Sequence, residues 1–242
     1  ALIFPTNAFE LTHAASDAYL KPTFANMARL LRLIAIFFSI LLPGMYLALT
    51  LFHQEMIPTY LMYSISASRE NVPFPSVVEL VLMDFSFEII REAGLRMPGP
   101  LGSTLGIVGG LILGQAAVSA KIVSPIMIII IAITGIGSFA TANYSLGWAY
   151  RILRLIFIAL GGSLGLFGIG LGIFAYSVYI GTLSNFGIRF LSPMPGNVAN
   201  KIKKSVFTEP IWDKEKRPEY LETKNDVSEA KISRRWIYKK DK

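Results

Sequence analysis

The chain has 242 residues, of which 53% are hydrophobic, and its mean hydropathy is +0.52. This apolar share exceeds that of an ordinary globular domain. The absence of cysteine excludes disulfides, thiolate nucleophiles and cysteine-based metal sites. The two histidines, His13 and His53, lie far apart, and we interpret each as a loop or interface residue. No cluster of histidines and carboxylates has metal-ligand spacing, so the sequence predicts no enzyme, no metal site and no cofactor.

The 23 basic and 16 acidic residues give a net charge of +7, and this charge is unevenly distributed. Residues 197–242 form a polar stretch in which basic residues outnumber acidic ones by five. We interpret it as a solvated cytoplasmic tail, with attraction to anionic lipid headgroups as the alternative. Basic and acidic residues are interleaved there without a recognition module, which disfavours nucleic-acid binding.

Residues 1–28 are polar, with isolated phenylalanines, and lack the basic and apolar regions of a signal peptide. The sequence begins with Ala1 rather than Met, so we expect a fragment of a longer protein. We predict that this segment leads in from an upstream cytoplasmic domain. Arg29 and Arg32 precede the first apolar run and place its N-terminal side in the cytoplasm.

Four apolar runs come next in the chain, and each has about the 20 residues that a membrane-spanning helix needs, or more. They cover residues 30–52, 101–120, 122–142 and 152–183. The last run is too long for one upright span and contains GGSLGLFGIGLG, which indicates strong tilt or a broken hairpin. Arg151 and Arg154 are expected in a cytoplasmic turn. The sequence thus predicts an all-α polytopic membrane protein, with four to five membrane helices in residues 29–196.

A charged amphipathic helix is predicted after the PFP sequence at residues 73–75. At 100° per residue, Asp84, Glu88, Arg91 and Glu92 share one arc and apolar side chains cover the opposite arc. Glu79 is the exception, because it falls within the apolar arc. This helix could pack on the membrane plane, be re-entrant, or cross the membrane with its acidic stripe inside an assembly.

The second apolar run carries glycines at four-residue spacing. They are Gly102, Gly106, Gly110 and Gly114. Small residues at this spacing allow helix backbones to approach closely, so the pattern predicts tight helix packing. The alternative is a narrow helix around a central pathway, with Gln115 and Ser119 as its polar lining.

The stretch PFPSVVELVLMDFSFEIIREAGLRMPGPLGSTLGIVGGLILGQAAVSAKIVSP resembles the membrane domain of the A subunit of GerA-type spore germinant receptors. The flanking stretches FPTNAFE, LTLFHQEMIPTYLMYSISASREN, ITGIGSFATANYSLGWAYRILR and FGIRFLSPM carry the same resemblance. Together they cover nearly all of residues 3–195.

The resemblance implies a receptor in the inner membrane of the dormant bacterial endospore. It implies a large N-terminal cytoplasmic domain, a transporter-like B subunit that binds the nutrient, and a lipoprotein C subunit. It further implies that the subunit forms a homo-oligomer, expected to be a pentamer, and that this oligomer is a ligand-gated channel. Opening of that channel would release monovalent cations as an early step of germination.

Rings of acidic side chains favour cation passage, and oligomeric symmetry turns one carboxylate into a ring. We therefore predict Asp84 and Glu88 as residues of the cation pathway. Glu79 is a second choice, with internal pairing to an arginine as its alternative. Helix spacing selects four candidates for an apolar constriction, namely Val108, Leu111, Gln115 and Val118.

Two other functions compete with the channel. A non-conducting scaffold that organises receptors in the spore membrane would need the same helices but no cation pathway. A secondary transporter would carry inverted repeats with broken helices, and the two halves of this chain show no convincing similarity.

Overall fold

The computed structural model describes residues 8–97, 100–185 and 188–191. The predicted polar tail, residues 197–242, lies outside the described residues. The chain divides into two compact units, one formed by residues 1–33, 142–144 and 175–242, the other by residues 34–141 and 145–174.

The described chain is predominantly helical, as predicted. Its helices are α1 (Ala8–Leu11), α2 (Pro22–Leu51), α3 (Thr59–Arg69), α4 (Ser76–Arg96), α5 (Pro100–Ser119), α6 (Pro125–Phe139) and α7 (Tyr144–Thr182). Short 3₁₀ turns cover Ala15–Tyr19 and Gln54–Met56, and β1 (Ser184–Asn185) pairs with β2 (Ile188–Arg189) in a small antiparallel hairpin. By length and composition, α2 and α7 can cross a membrane, whereas α5 and α6 contain shorter apolar segments.

Glycines bring α2 and the first part of α7 into backbone contact in the second unit. A methyl group on Gly44 would lie 2.5 Å from the carbonyl oxygen of Phe157, and one on Gly161 would overlap the Gly44 carbonyl. Contact between Phe52 and Gly165 continues the same register. The two segments therefore run parallel, with backbones closer than any larger residue would permit.

The α7 helix reverses direction at Gly165, where φ is 64° and ψ is −146°. A Cβ on Gly172 would lie within 3 Å of the Phe157 ring and of Leu160, which a continuous helix would hold many turns away. Residues 144–164 and 166–182 therefore form two arms of a helical hairpin. This geometry agrees with the broken hairpin that the glycine-rich stretch indicated.

The α4, α5 and α6 helices complete the second unit in alternating directions. Gly135 of α6 approaches the ring of Phe87 in α4, and Gly137 approaches the carbonyl oxygen of Ala35 in α2 at 2.6 Å from a built Cβ. Their shared apolar core includes Leu47, Leu80 and Met127, all fully buried. Consequently α4 and α6 run parallel to each other and antiparallel to α2.

In the first unit, Asp17 ties the lead-in segment to the start of α2. Its carboxylate accepts bidentate hydrogen bonds from Arg32, at 2.9 and 3.1 Å, and one from Arg29 at 3.4 Å. Arg32 also donates to the carbonyl oxygen of Thr12 at 2.9 Å. The bonds from Arg32 outweigh burial and lower the pKa of Asp17 from 3.8 to about 2. Arg29 and Arg32, predicted as topology markers, thus also serve as ion-pair partners.

A buried charged face on one helix

The α4 helix is apolar outside and charged inside. Pro75 precedes its first turn, and residues at three- and four-residue spacing then face the interior. Its buried residues are Ser76, Glu79, Leu80, Met83, Asp84 and Arg91. Its exposed apolar residues are Val78, Val81, Leu82, Phe85 and Ile89. This distribution suits a helix with its carboxylates inside protein and its apolar side toward lipid, one of the three predicted placements.

Near its N-terminal end, α4 is joined to α3 and α6 through Glu79. The Glu79 side chain is fully buried and lies 3.8 Å from Nε of Arg69. Its other oxygen accepts a hydrogen bond from the backbone N–H of Ser124 at 2.5 Å. Ser124 is the N-cap of α6, so the carboxylate also sits beside the positive end of that helix. The predicted alternative for Glu79, pairing with an arginine, agrees with this geometry.

One turn further, Asp84 and Glu88 meet two arginines of α7. Arg154 lies 3.0 Å from Asp84 and 3.7 Å from Glu88, and Arg151 lies 2.5 Å from Glu88. Both arginines are buried, with 3% and 6% of their side chains exposed. The pairs at Glu88 are close in distance but lack hydrogen-bond alignment. We call these four residues the α4–α7 ion-pair cluster; its formal charges sum to zero.

Arg91 joins α4 to the end of α6. Its guanidinium donates to the hydroxyl of Ser138 at 2.7 Å and lies 4.7 Å from the centre of the Phe139 ring. The Ser138 hydroxyl in turn donates to the Gly135 carbonyl oxygen at 2.6 Å. Because a cation over an aromatic face is stabilised most when water is excluded, this contact also holds α6 against α4.

These contacts give the charged face of α4 a packing role. Removing two charges from water costs several kcal/mol for each ion, and only close pairing offsets that cost. The arrangement therefore strongly penalises separation of α4 from α3, α6 or the first arm of α7.

The constriction candidates lie on a different surface. Val108, Leu111 and Gln115 are exposed on α5, with 45% and 59% exposure for the two apolar residues, and Val118 is half-buried. Another side of α5 packs inward through Gly114 and Ala117. Val108, Leu111 and Gln115 thus share one outward-facing side, with Val118 at its edge.

The α5 glycines at four-residue spacing lie in two different environments. A Cβ on Gly114 would lie 3.4 Å from Ile128, an ordinary packing contact with α6. Within the described residues, nothing lies within 4 Å of a Cβ on Gly106 or Gly110. Gly102 belongs to the same helix, in a stretch whose side-chain surroundings the structure does not describe. Backbone contact occurs instead at Gly44 and Gly161, which the four-residue pattern did not single out.

The structure brings Asp84 and Glu88 together and holds Glu79 in a separate pair. Their arginine partners were not identified from the sequence. Arg151 and Arg154, expected in a cytoplasmic turn, are instead buried inside α7, which corrects that expectation. The available signal was their three-residue spacing, which matches an acidic stripe on a second helix.

Comparison with known proteins assigns the family. The family model described as Bacillus/Clostridium GerA spore germination protein matches residues 1–220. Spore germination protein KA of Bacillus subtilis (strain 168) is 42% identical over 96% of this chain and 43% of its own length. Spore germination protein GerLA of Bacillus cereus is 39% identical over 96% of this chain and 47% of its own length.

Spore germination protein A1 of Bacillus subtilis (strain 168) is 38% identical over 89% of this chain and 45% of its own length. The chain thus spans less than half the length of each of these relatives. No solved structure matches it. The match over residues 1–220, together with these identities, shows that the chain belongs to the GerA spore germination protein family.

Proposed function

We propose that the chain is the membrane domain of a nutrient-responsive germinant receptor subunit that oligomerises into a ligand-gated monovalent cation channel. The proposal includes the B and C partner subunits and the inner endospore membrane. Family membership supports the receptor role. The observation that carries the channel role is the outward side of α5, which presents an apolar stripe together with Gln115.

The alternating helices support a polytopic arrangement. The α2, α4, α5 and α6 helices and the two arms of α7 succeed one another in alternating directions. Antiparallel neighbours joined by short turns are the arrangement that repeated membrane crossing requires. The proposal extends the predicted four to five spans by counting the charged α4 helix and the second arm of α7. An even number of crossings returns the chain to its starting side, as a cytoplasmic lead-in and a cytoplasmic tail require.

Two sides of α5 support an oligomer. Gly106 and Gly110 permit a second helix to approach the backbone closely. Leu111 and Gln115 lie on a different arc of the helix, where closed symmetry would repeat them around an axis. An apolar ring that includes one amide is suited to gating by dewetting.

Among the three carboxylates proposed for the cation pathway, Glu88 fits best. Its side chain is 25% exposed, whereas Asp84 is 6% exposed and Glu79 is fully buried. Arg151 and Arg154 balance its charge in this arrangement. We propose that a shift of α7 during opening exposes Glu88 to the pathway. Asp84 and Glu79 then contribute negative charge from their buried positions.

Potassium release from spores tests the proposal. Full-length receptors carrying Glu88→Gln or Val118→Ala are compared with Glu92→Gln, which changes a partly exposed carboxylate one turn away. At normal receptor abundance, we expect altered nutrient-triggered release from the first two variants and unchanged release from the third. Wild-type release from all three would remove the pathway assignment and favour the non-conducting scaffold.

A further inference from the structure

Four buried polar atoms on α2, α3 and α4 have no hydrogen-bond partner among the described residues. They are Tyr46 Oη, Arg69 Nε, Ser76 Oγ and Glu79 Oε2. Each is sealed from solvent. Tyr46, Ser76 and Glu79 are 7%, 1% and 1% exposed, so these groups cannot be hydrated from the surface.

One distance, helix spacing and a shared core cluster bring these side chains together. Arg69 Nε lies 3.8 Å from Glu79 Oε2, too far for a good hydrogen bond. Ser76 precedes Glu79 by three residues on α4, so their side chains lie on the same buried face. Tyr46 packs in the same buried core cluster as Leu80, the residue that follows Glu79 on α4. A gap wider than a hydrogen bond, bordered by donors and acceptors, is the setting for a bridging molecule.

We infer that this point binds one ordered water molecule, which bridges Tyr46, Arg69, Ser76 and Glu79. A buried water commonly makes about three hydrogen bonds to groups that otherwise lack partners. Here Arg69 donates to the water, the water donates to Glu79, and the two hydroxyls complete its shell. The guanidinium disfavours a metal cation and the carboxylate disfavours an anion, so a neutral ligand fits the site.

Arg69 is the most exposed of the four residues. Its side chain is 24% exposed, although Nε itself is sealed, so the guanidinium forms the outer wall of the site. Glu79 also accepts from the Ser124 N–H, so the water would be linked to the N-cap of α6. The hydrated point thus connects α2, α3, α4 and α6 through one bonded set.

Radiolytic hydroxyl-radical labelling detects bound water directly, because radicals formed from it modify adjacent side chains. The full-length protein in lipid nanodiscs is irradiated, with Met127 as the control, a fully buried residue in the apolar core. We expect modification of Tyr46 despite its burial and little modification of Met127. After rapid mixing with H₂¹⁸O, the Tyr46 product should acquire the heavy isotope slowly. Protection of Tyr46 equal to that of Met127 would overturn the inference.

Thermal unfolding gives a second, independent readout. Replacing an unsatisfied buried hydroxyl by hydrogen is neutral or stabilising, whereas removing one that bonds a water is destabilising. We expect Tyr46→Phe and Ser76→Ala each to lower Tm by about 2–4 °C. Ser86→Ala, an exposed serine on the same helix, is the control and should leave Tm unchanged. A raised or unchanged Tm in both buried variants would contradict a bridging water.

Discussion

The α4 and α5 helices are neighbours of similar length, yet they direct their polar and apolar side chains in opposite ways. α4 turns Glu79, Asp84 and Arg91 inward and meets them with partners from the same chain. α5 turns Leu111 and Gln115 outward, where nothing from the described chain covers them. A charged helix can therefore hold a fold together, while an apolar one supplies surface for assembly.

The largest effect is expected for a substitution at Arg154, which tests whether the inward charges of α4 stabilise the fold. Changing Arg154 to Met leaves Asp84 without its arginine and weakens the pairing of Glu88. An unpaired buried charge costs about 3–5 kcal/mol, so Tm should fall by more than about 6 °C. Differential scanning fluorimetry measures this. Arg96→Met, which opens an exposed i,i+4 pair with Glu92, is the control and should change Tm little. Equal effects from both variants would show that the α4–α7 ion-pair cluster has no special packing role.

The second largest effect is expected at the turn that keeps the first arm of α7 against α4. Gly165→Ala forces a non-glycine residue into φ 64°, ψ −146°, and its Cβ would lie 3.0 Å from Phe52 and His53. Strained backbone of this kind costs about 1–3 kcal/mol before any clash is counted. Thermal unfolding should show the loss. Gly170→Ala, in the second arm with open space around it, should be neutral or stabilising. A neutral Gly165→Ala would argue against the hairpin.

A smaller, pH-dependent effect is expected for Asp17, a buried carboxylate whose arginine partners are 12% and 14% exposed. Its pKa is lowered to about 2, so its contribution to stability is complete above about pH 4 and disappears as the pH falls towards 2. With some screening by solvent around Arg29 and Arg32, Asp17→Asn should cost about 1–2 kcal/mol at pH 7. The measurement is the Tm difference between wild type and variant from pH 7 to pH 3. A difference that grows on acidification would contradict this assignment.

The sequence predicted the positions of the helices better than the contacts between them. Run length and apolarity were sufficient to place α5 and α6, and the glycine-rich stretch indicated the break that occurs at Gly165. Helical periodicity also placed Asp84 and Arg91 on one face of α4. Their environment was not predictable in this way, because Arg154 is 70 residues from Asp84 along the chain and only packing brings them together. Likewise, the Gly44–Gly161 contact depends on the register of two distant helices.

The most direct test of the contrast between α4 and α5 is potassium release from spores, divided by receptor abundance, for Asp84→Ala and Leu111→Ala measured together. We expect Asp84→Ala to deplete the receptor, since it leaves Arg154 without its nearest carboxylate. We expect Leu111→Ala to retain normal abundance and to change release per receptor. Normal abundance and release for both variants, or depletion by Leu111→Ala alone, would contradict this contrast.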